Sequence, residues 1–192
     1  MTEHDHLVPP EVISQLGKRK SVRIALIKEH KEDPRVLLTT EQKGIIIYHS
    51  LPGGKVDPSE YNDGASIDDA FAAALARELE EELGLPQEQF FEHIRNLVNY
   101  FDFAILTKFN PENPLSEVVF YGLIPNEVLE KLDLGGQEDK KIINYSWVPL
   151  KAVLENYKIE DQDQLPQEGV FIFVDSHIPG ILERLSEKLS GK

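Results

Sequence analysis

Residues 66–85, SIDDAFAAALARELEEELGL, decide how the chain is read. Ser66 is a good N-cap with Asp69 three residues on, strong helix formers follow, and Gly84 and Pro86 stop the run. The pattern predicts one secure helix. With Glu78 set at zero on a wheel of about 100° per residue, Glu82 falls near +40° and Glu81 near −60°, while Glu80 falls near −160°. Three carboxylates share a face and Glu80 points elsewhere. Phe71, Leu75, Leu79 and Leu83 lie between roughly +20° and +140°, so Glu78 and Glu82 border the apolar stripe instead of facing bulk water. Upstream, LPGGKVDPSEYNDG (51–64) is rich in Gly, Pro, Asp, Asn and Ser and is expected to be a loop.

Nine acidic residues and one basic residue, Arg77, fall between Asp57 and Glu82, a local balance of −8 in a chain whose formal charge is −14. Like charges at i and i+4 oppose helix formation, and glutamates near a helix C-terminus oppose the macrodipole. A run of glutamates is most often a solvated face. A hard divalent cation with oxygen ligands would instead compensate the cluster directly, and Mg²⁺ or Mn²⁺ suits carboxylates that leave positions for water and phosphate.

Spacing separates the two readings. Gly54, five residues, Glu60, and then Arg77-Glu78-Leu79-Glu80-Glu81-Glu82-Leu83-Gly84-Leu85 resemble the Nudix box, G-x5-E-x7-R-E-U-x-E-E-x-G-U with U aliphatic. Every fixed position of the second half is present, and LPGG is the usual lead-in to the box in that family. The middle departs from it: residues 61–76 stand where the pattern has seven, an excess of nine read here as a lengthened loop. Such an insertion is thermodynamically mild. The box and its insertion cover about a sixth of the chain. The resemblance implies an α/β fold, an α/β/α sandwich around a mixed sheet.

It also implies metal-dependent hydrolysis of a pyrophosphate bond in a nucleoside diphosphate linked to another moiety, a small-molecule substrate of nucleotide type. Glu78, Glu81 and Glu82 are then carried over as ligands of Mg²⁺ or Mn²⁺, with Glu78 able to serve instead as a base. Arg77 neutralises and orients the catalytic cluster with Glu60 nearby. Gly53, Gly54 and Gly84 permit close backbone approach and turns, and the Gly54 carbonyl is a candidate further metal ligand. Many relatives add an acid from a later loop, a place that Glu138 and Asp139 in GGQEDKK suit and where a plain polar turn is the alternative. Glu117 is a weaker candidate. Lys55 is placed to meet a phosphate, while Tyr48 and Phe101 head the aromatics, with Tyr100, Phe103, Tyr121 and Trp147, that offer a stacking surface or simply build the core. His49, before the glycines, is either a substrate contact or a packed strand-end residue. The proline that many ADP-ribose hydrolases carry about 15 residues after the box is absent, which disfavours that substrate. A nucleotide-sensing module of the same fold that does not hydrolyse is the competing reading. The intact second half of the box argues against it.

At 192 residues with 41% hydrophobic and 28% charged composition, the chain suits one globular domain, read as an arm over 1–20 and a hydrolase domain over 21–192. Its net charge repels nucleic-acid polymers and anionic membranes. With no cysteine, no disulfide or thiolate site exists, and with no apolar span or secretory leader the expected location is the cytoplasm. Homodimers are common among relatives, but no apolar patch in the sequence marks an interface. Strands are predicted at 22–27, 35–39, 45–48, 97–108, 117–124 and 142–148, beginning as an antiparallel set. Helices are predicted at 127–132, from Pro149 to 156, and along Ile178, Ile181, Leu182, Leu185 and Leu189. Residues 170–174 read as a strand or a buried extended segment.

Overall fold

The structure is a computed structural model that describes residues 7–28, 33–60, 66–107, 111–132, 142–159, 170–173, 175 and 177–191. In chain order the elements are α1 (Pro10–Ile13), β1 (Arg19–Lys28), β2 (Arg35–Lys43), β3 (Ile46–Ser50), β4 (Gly53–Lys55), α2 (Ile67–Leu83) and α3 (Gln87–Gln89). Then follow β5 (Val98–Leu106), β6 (Leu115–Ile124), α4 (Asn126–Leu129), β7 (Ile142–Pro149), α5 (Leu150–Asn156), β8 (Tyr157–Ile159), β9 (Phe171–Phe173) and α6 (Ile178–Leu189). Strands and helices alternate around one mixed sheet. Among the described residues no helix is long and apolar enough to cross a membrane.

The period-two alternation of β1 explains the layers. Val22, Ile24 and Leu26 point to one face, where they join Leu37, Val118 and Phe120 beneath Phe71, Leu75, Leu79 and Leu83 of α2. Ala25 and Ile27 point to the other, with Val36, Leu38 and Val119, under Ile178, Ile181, Leu182 and Leu185 of α6 and Leu150 and Val153 of α5. The result is the expected α/β/α sandwich. The segment ahead of β1 contributes to the first face as well: Val8 and Val12 are buried in that core, and the Val8 N–H donates to Asp68 of α2 at 3.0 Å.

The sheet runs β5-β6-β1-β2-β3-β9-β8, with β4 added to β1 and β7 to β2. β1 pairs with β6 in parallel along its whole length, but with β2 only at Ile27 and Lys28. From there β1 and β2 diverge. The opening is lined by β4 along Ser21–Arg23 of β1 and by β3 along Thr39–Lys43 of β2, so Leu51 and Pro52 carry the chain across the fork between them. The Pro52 carbonyl accepts from Ile24 N–H at 2.9 Å.

Three expectations are corrected. The stretch 51–64 is not wholly loop, because Gly53–Lys55 forms a short strand against β1 and Pro58–Glu60 a 3₁₀ turn. Glycines hide such a strand from side-chain pattern, since it is made by backbone pairing alone. Nor is the excess length of the box all loop: of residues 61–76, Ile67–Ala76 already belong to α2, capped by Ser66, whose hydroxyl accepts from Asp69 N–H at 3.1 Å. Pro149 is the N-cap of α5 and the last residue of β7, not the first helical residue. Gly84 takes a left-handed conformation at φ 70° and closes α2, its N–H donating to the Glu80 carbonyl at 2.9 Å.

The two glycines of β4 are needed for different reasons. Gly53 has φ 140°, and a Cβ there would lie 2.1 Å from the Val22 carbonyl oxygen, within rigid sheet backbone. At Gly54 a Cβ would instead lie 2.3–2.5 Å from the Glu78 carboxylate, the movable end of a side chain. Accordingly Gly53→Ala is expected to cost roughly 2 kcal/mol or more in urea unfolding. Gly54→Ala should fold with a far smaller loss and a displaced Glu78; equal losses at the two positions would contradict the assignment.

Candidate active site

The site is built where the C-terminal half of α2 meets β4. Arg77 is its organiser. Its Nε donates to Glu60 at 3.0 Å, Nη1 to Glu78 at 2.7 Å and to Glu81 at 3.4 Å, and Nη2 to the Lys55 carbonyl at 2.7 Å. One guanidinium thus ties the 3₁₀ turn, the glycine strand and two helical carboxylates together. Glu60 is fixed a second time by accepting from Asp57 N–H at 2.6 Å. Burial and the donated bonds act in opposite senses on Arg77; the carboxylates win and hold it more firmly protonated than usual.

The three helical glutamates sit in unequal surroundings. Glu82 is buried, 8% exposed, and accepts from Gly53 N–H at 3.0 Å. Glu78 is largely buried over Gly54, while Glu81 is 41% exposed. Burial pushes the Glu78 carboxyl up; Arg77 opposes this, and the neighbouring charges of Glu81 and Glu60 reinforce it. Glu80 lies apart, accepting from Gln87 at 2.6 Å. The helix therefore brings Glu78, Glu81 and Glu82 to the glycine strand as one acidic edge and turns Glu80 away.

Among the described residues no group of three or more Asp, Glu or His side chains is already gathered at metal-ligating separations. The donor set nevertheless fits a hard cation. It offers carboxylate oxygens from one helical turn, and the Glu78 carboxylate occupies a cradle that only a glycine at position 54 leaves open. Glu78, Glu81, Glu82 and the Gly54 carbonyl are the groups that would hold it.

The other sequence candidates are scattered. Lys55 has an exposed side chain and contributes its carbonyl to Arg77. Tyr48 is 5% exposed, so its ring has little face left for stacking. Phe101 and Tyr121 meet edge to face at 5.9 Å against the α6 side, with the Lys188 ammonium 5.0 Å from the Tyr121 centroid. Tyr100, Phe103 and Trp147 pack on the α2 side. His49 packs edge-on to Phe171 at 5.2 Å, its Nδ1 buried without a hydrogen-bond partner among the described residues, and burial lowers its pKa. Glu138 and Asp139 lie outside the described residues.

Sequence reasoning missed a second polar cluster, beside the glycine strand. Glu117, 1% exposed at the start of β6, accepts from Arg23 Nε at 2.9 Å and pairs with His177 Nε2 at 2.5 Å. Arg23 also donates to Ser50 Oγ at 2.8 Å, the Leu51 carbonyl at 3.1 Å and Asp175 at 2.6 Å. Burial alone would raise the Glu117 pKa, but the His177 bond and the Arg23 charge hold it below the usual carboxylate range. Withdrawn from solvent and doubly paired, Glu117 has a structural place. The sequence singled out Glu117 alone, as a weaker candidate acid at the head of EVVFYGLI; Arg23 showed only as a charge within VRIALI, and nothing linked either to Asp175 or His177.

Several solved structures share this architecture. The NUDIX domain of Shewanella oneidensis NrtR, in complex with ADP ribose, aligns at TM-score 0.56 and 17% identity over 98% of this chain and 99% of that one. A Caenorhabditis elegans Ap4A hydrolase binary complex aligns at 0.53 and 17% identity over 90% and 98%. A mutT/nudix family protein from Listeria innocua aligns at 0.51 and 19% identity over 91% and 96%. At such identities the likeness is one of fold. No curated protein matches the chain. A NUDIX domain model matches residues 17–167, taking in the box and strands β1 to β8, and on that match the chain belongs to the Nudix family.

Proposed function

We propose that the protein is a divalent-metal-dependent pyrophosphohydrolase acting on a nucleoside diphosphate linked to another moiety. The observation that carries this reading is the acidic edge of α2 set against the two glycines of β4. A substrate diphosphate is repelled by a chain of charge −14 unless that edge is neutralised locally. Mg²⁺ or Mn²⁺, when bound there, shields the diphosphate and lowers the pKa of water.

The remaining work falls to the chain. Gly53 and Gly54 allow the backbone to approach the ligand closely. Arg77 holds Glu60, Glu78 and Glu81 in place before substrate arrives, so little reorganisation is needed. In the reaction, a water oxygen forms a bond to phosphorus as the bridging P–O bond breaks. The water proton passes to a carboxylate, and Glu78, whose burial raises its proton affinity, suits that task. The bond electrons leave with the departing phosphate.

The neighbours bound to ADP ribose or called Ap4A hydrolases mark two substrate classes to try, together with nucleotide sugars and oxidised nucleoside triphosphates. The proline argument from the sequence disfavours ADP-ribose among them. Glu82→Gln keeps an oxygen that can accept from Gly53 but removes the charge. It is expected to lower turnover about 100-fold or more with little change in melting temperature. Full turnover in this variant, or in excess chelator, would contradict the proposal. Calorimetric nucleotide binding without phosphate release across the panel would favour the non-hydrolytic sensor instead.

A further inference from the structure

The fork between β1 and β2 leaves a local problem. Leu51 and Pro52 cross from β3 to β4 without a continuous ladder on either side, yet the two residues that follow them are Gly53 and Gly54 of the site. The Pro52 carbonyl is met by Ile24 N–H. The Leu51 carbonyl and the Ser50 hydroxyl are met by one side chain, Arg23, through the same Nη1.

Arg23 is itself held from two further directions. Its Nε is fixed on Glu117 of β6 and its Nη2 on Asp175, just ahead of α6, while His177, the residue preceding α6, closes on the other oxygen of Glu117. Its backbone lies opposite Gly53 in the β1–β4 pairing. Four N–H groups of a planar fork therefore span β1, β3, β6 and the start of α6 at the point where the glycine strand begins. An ammonium could not reach all of these acceptors at once.

We propose that Arg23 is a positioning residue for the active site: it holds Ser50 and Leu51 so that Gly53 and Gly54 meet Glu82 and Glu78 in register. Docking of α6 through Asp175 and His177 is thereby a condition for an assembled acidic edge. The catalytic part of this inference rests on the hydrolase reading; the positioning part does not.

Arg23→Lys keeps the charge and loses the fork. In the variant without metal or substrate, the Gly53 amide, which donates to Glu82, should exchange with deuterium about 10-fold faster than in wild type. Mn²⁺ affinity, measured by calorimetry, should fall about 10-fold. Well below the melting temperature, kcat should fall about 10-fold or more with KM for the nucleotide little changed. A purely structural residue would lower the melting temperature and leave these readouts at their wild-type values in the folded protein, which would overturn the proposal. Should Arg23→Lys fail to fold, Ser50→Ala removes one acceptor and is expected to move Gly53 exchange and Mn²⁺ affinity in the same direction by a smaller factor; unchanged values there would overturn the proposal equally. If wild type hydrolyses nothing while Gly53 protection still depends on Arg23, the hydrolase reading fails and the positioning role stands.

Discussion

A single guanidinium inside a dense field of carboxylates is the constraint on which the site depends. Arg77 is the one basic residue between Asp57 and Glu82, and it is bonded to Glu60, Glu78, Glu81 and the Lys55 carbonyl together. Without it, three carboxylates on adjoining helical turns would repel one another near the unfavourable end of the helix dipole. With it, the helix, the 3₁₀ turn and the glycine strand are fixed to a common centre. The sandwich around this centre fixes the helix by its apolar stripe, and the cap at Gly84 ends it just after Glu82.

Between Asp57 and Glu82 the chain supplies one basic side chain against nine acidic ones, so the arrangement is only partly neutralised. Arg77 offsets part of the charge, and Glu82 accepts from the Gly53 N–H. The remaining negative charge faces the close-approach surface made by two glycines. A carboxylate edge of this kind is costly for folding by itself and useful for gathering a hard cation together with a polyphosphate. The proposed metal site and the tolerated electrostatic strain of α2 are therefore two aspects of one feature.

Much of this could be read from residue order, and the limits are physical. Helix α2 was legible because capping, helix propensity and a 3.6-residue apolar period all agree along Ser66–Gly84. The wheel also separated Glu80 from Glu78, Glu81 and Glu82, since that depends on local geometry alone. The strand Gly53–Lys55 was not legible: two glycines carry no β signal, and its pairing with Ser21–Arg23 is set by the fork between β1 and β2. The Arg23–Glu117–His177–Asp175 cluster joins residues 60 to 152 positions apart, and no spacing rule reaches across such distances. Tyr48 looked like a stacking residue by type, whereas its place on the buried side of β3 could only follow from sheet register.

The most direct test of the central claim is a Mg²⁺ titration followed through the side-chain carboxyl carbons of the glutamates in α2 by NMR. Glu78, Glu81 and Glu82 should shift together and saturably at one ion per chain, while Glu80, on the same helix but turned toward Gln87, should stay where it is. A uniform drift of all four, or no shift in the first three, would mean that the acidic edge of α2 gathers no cation.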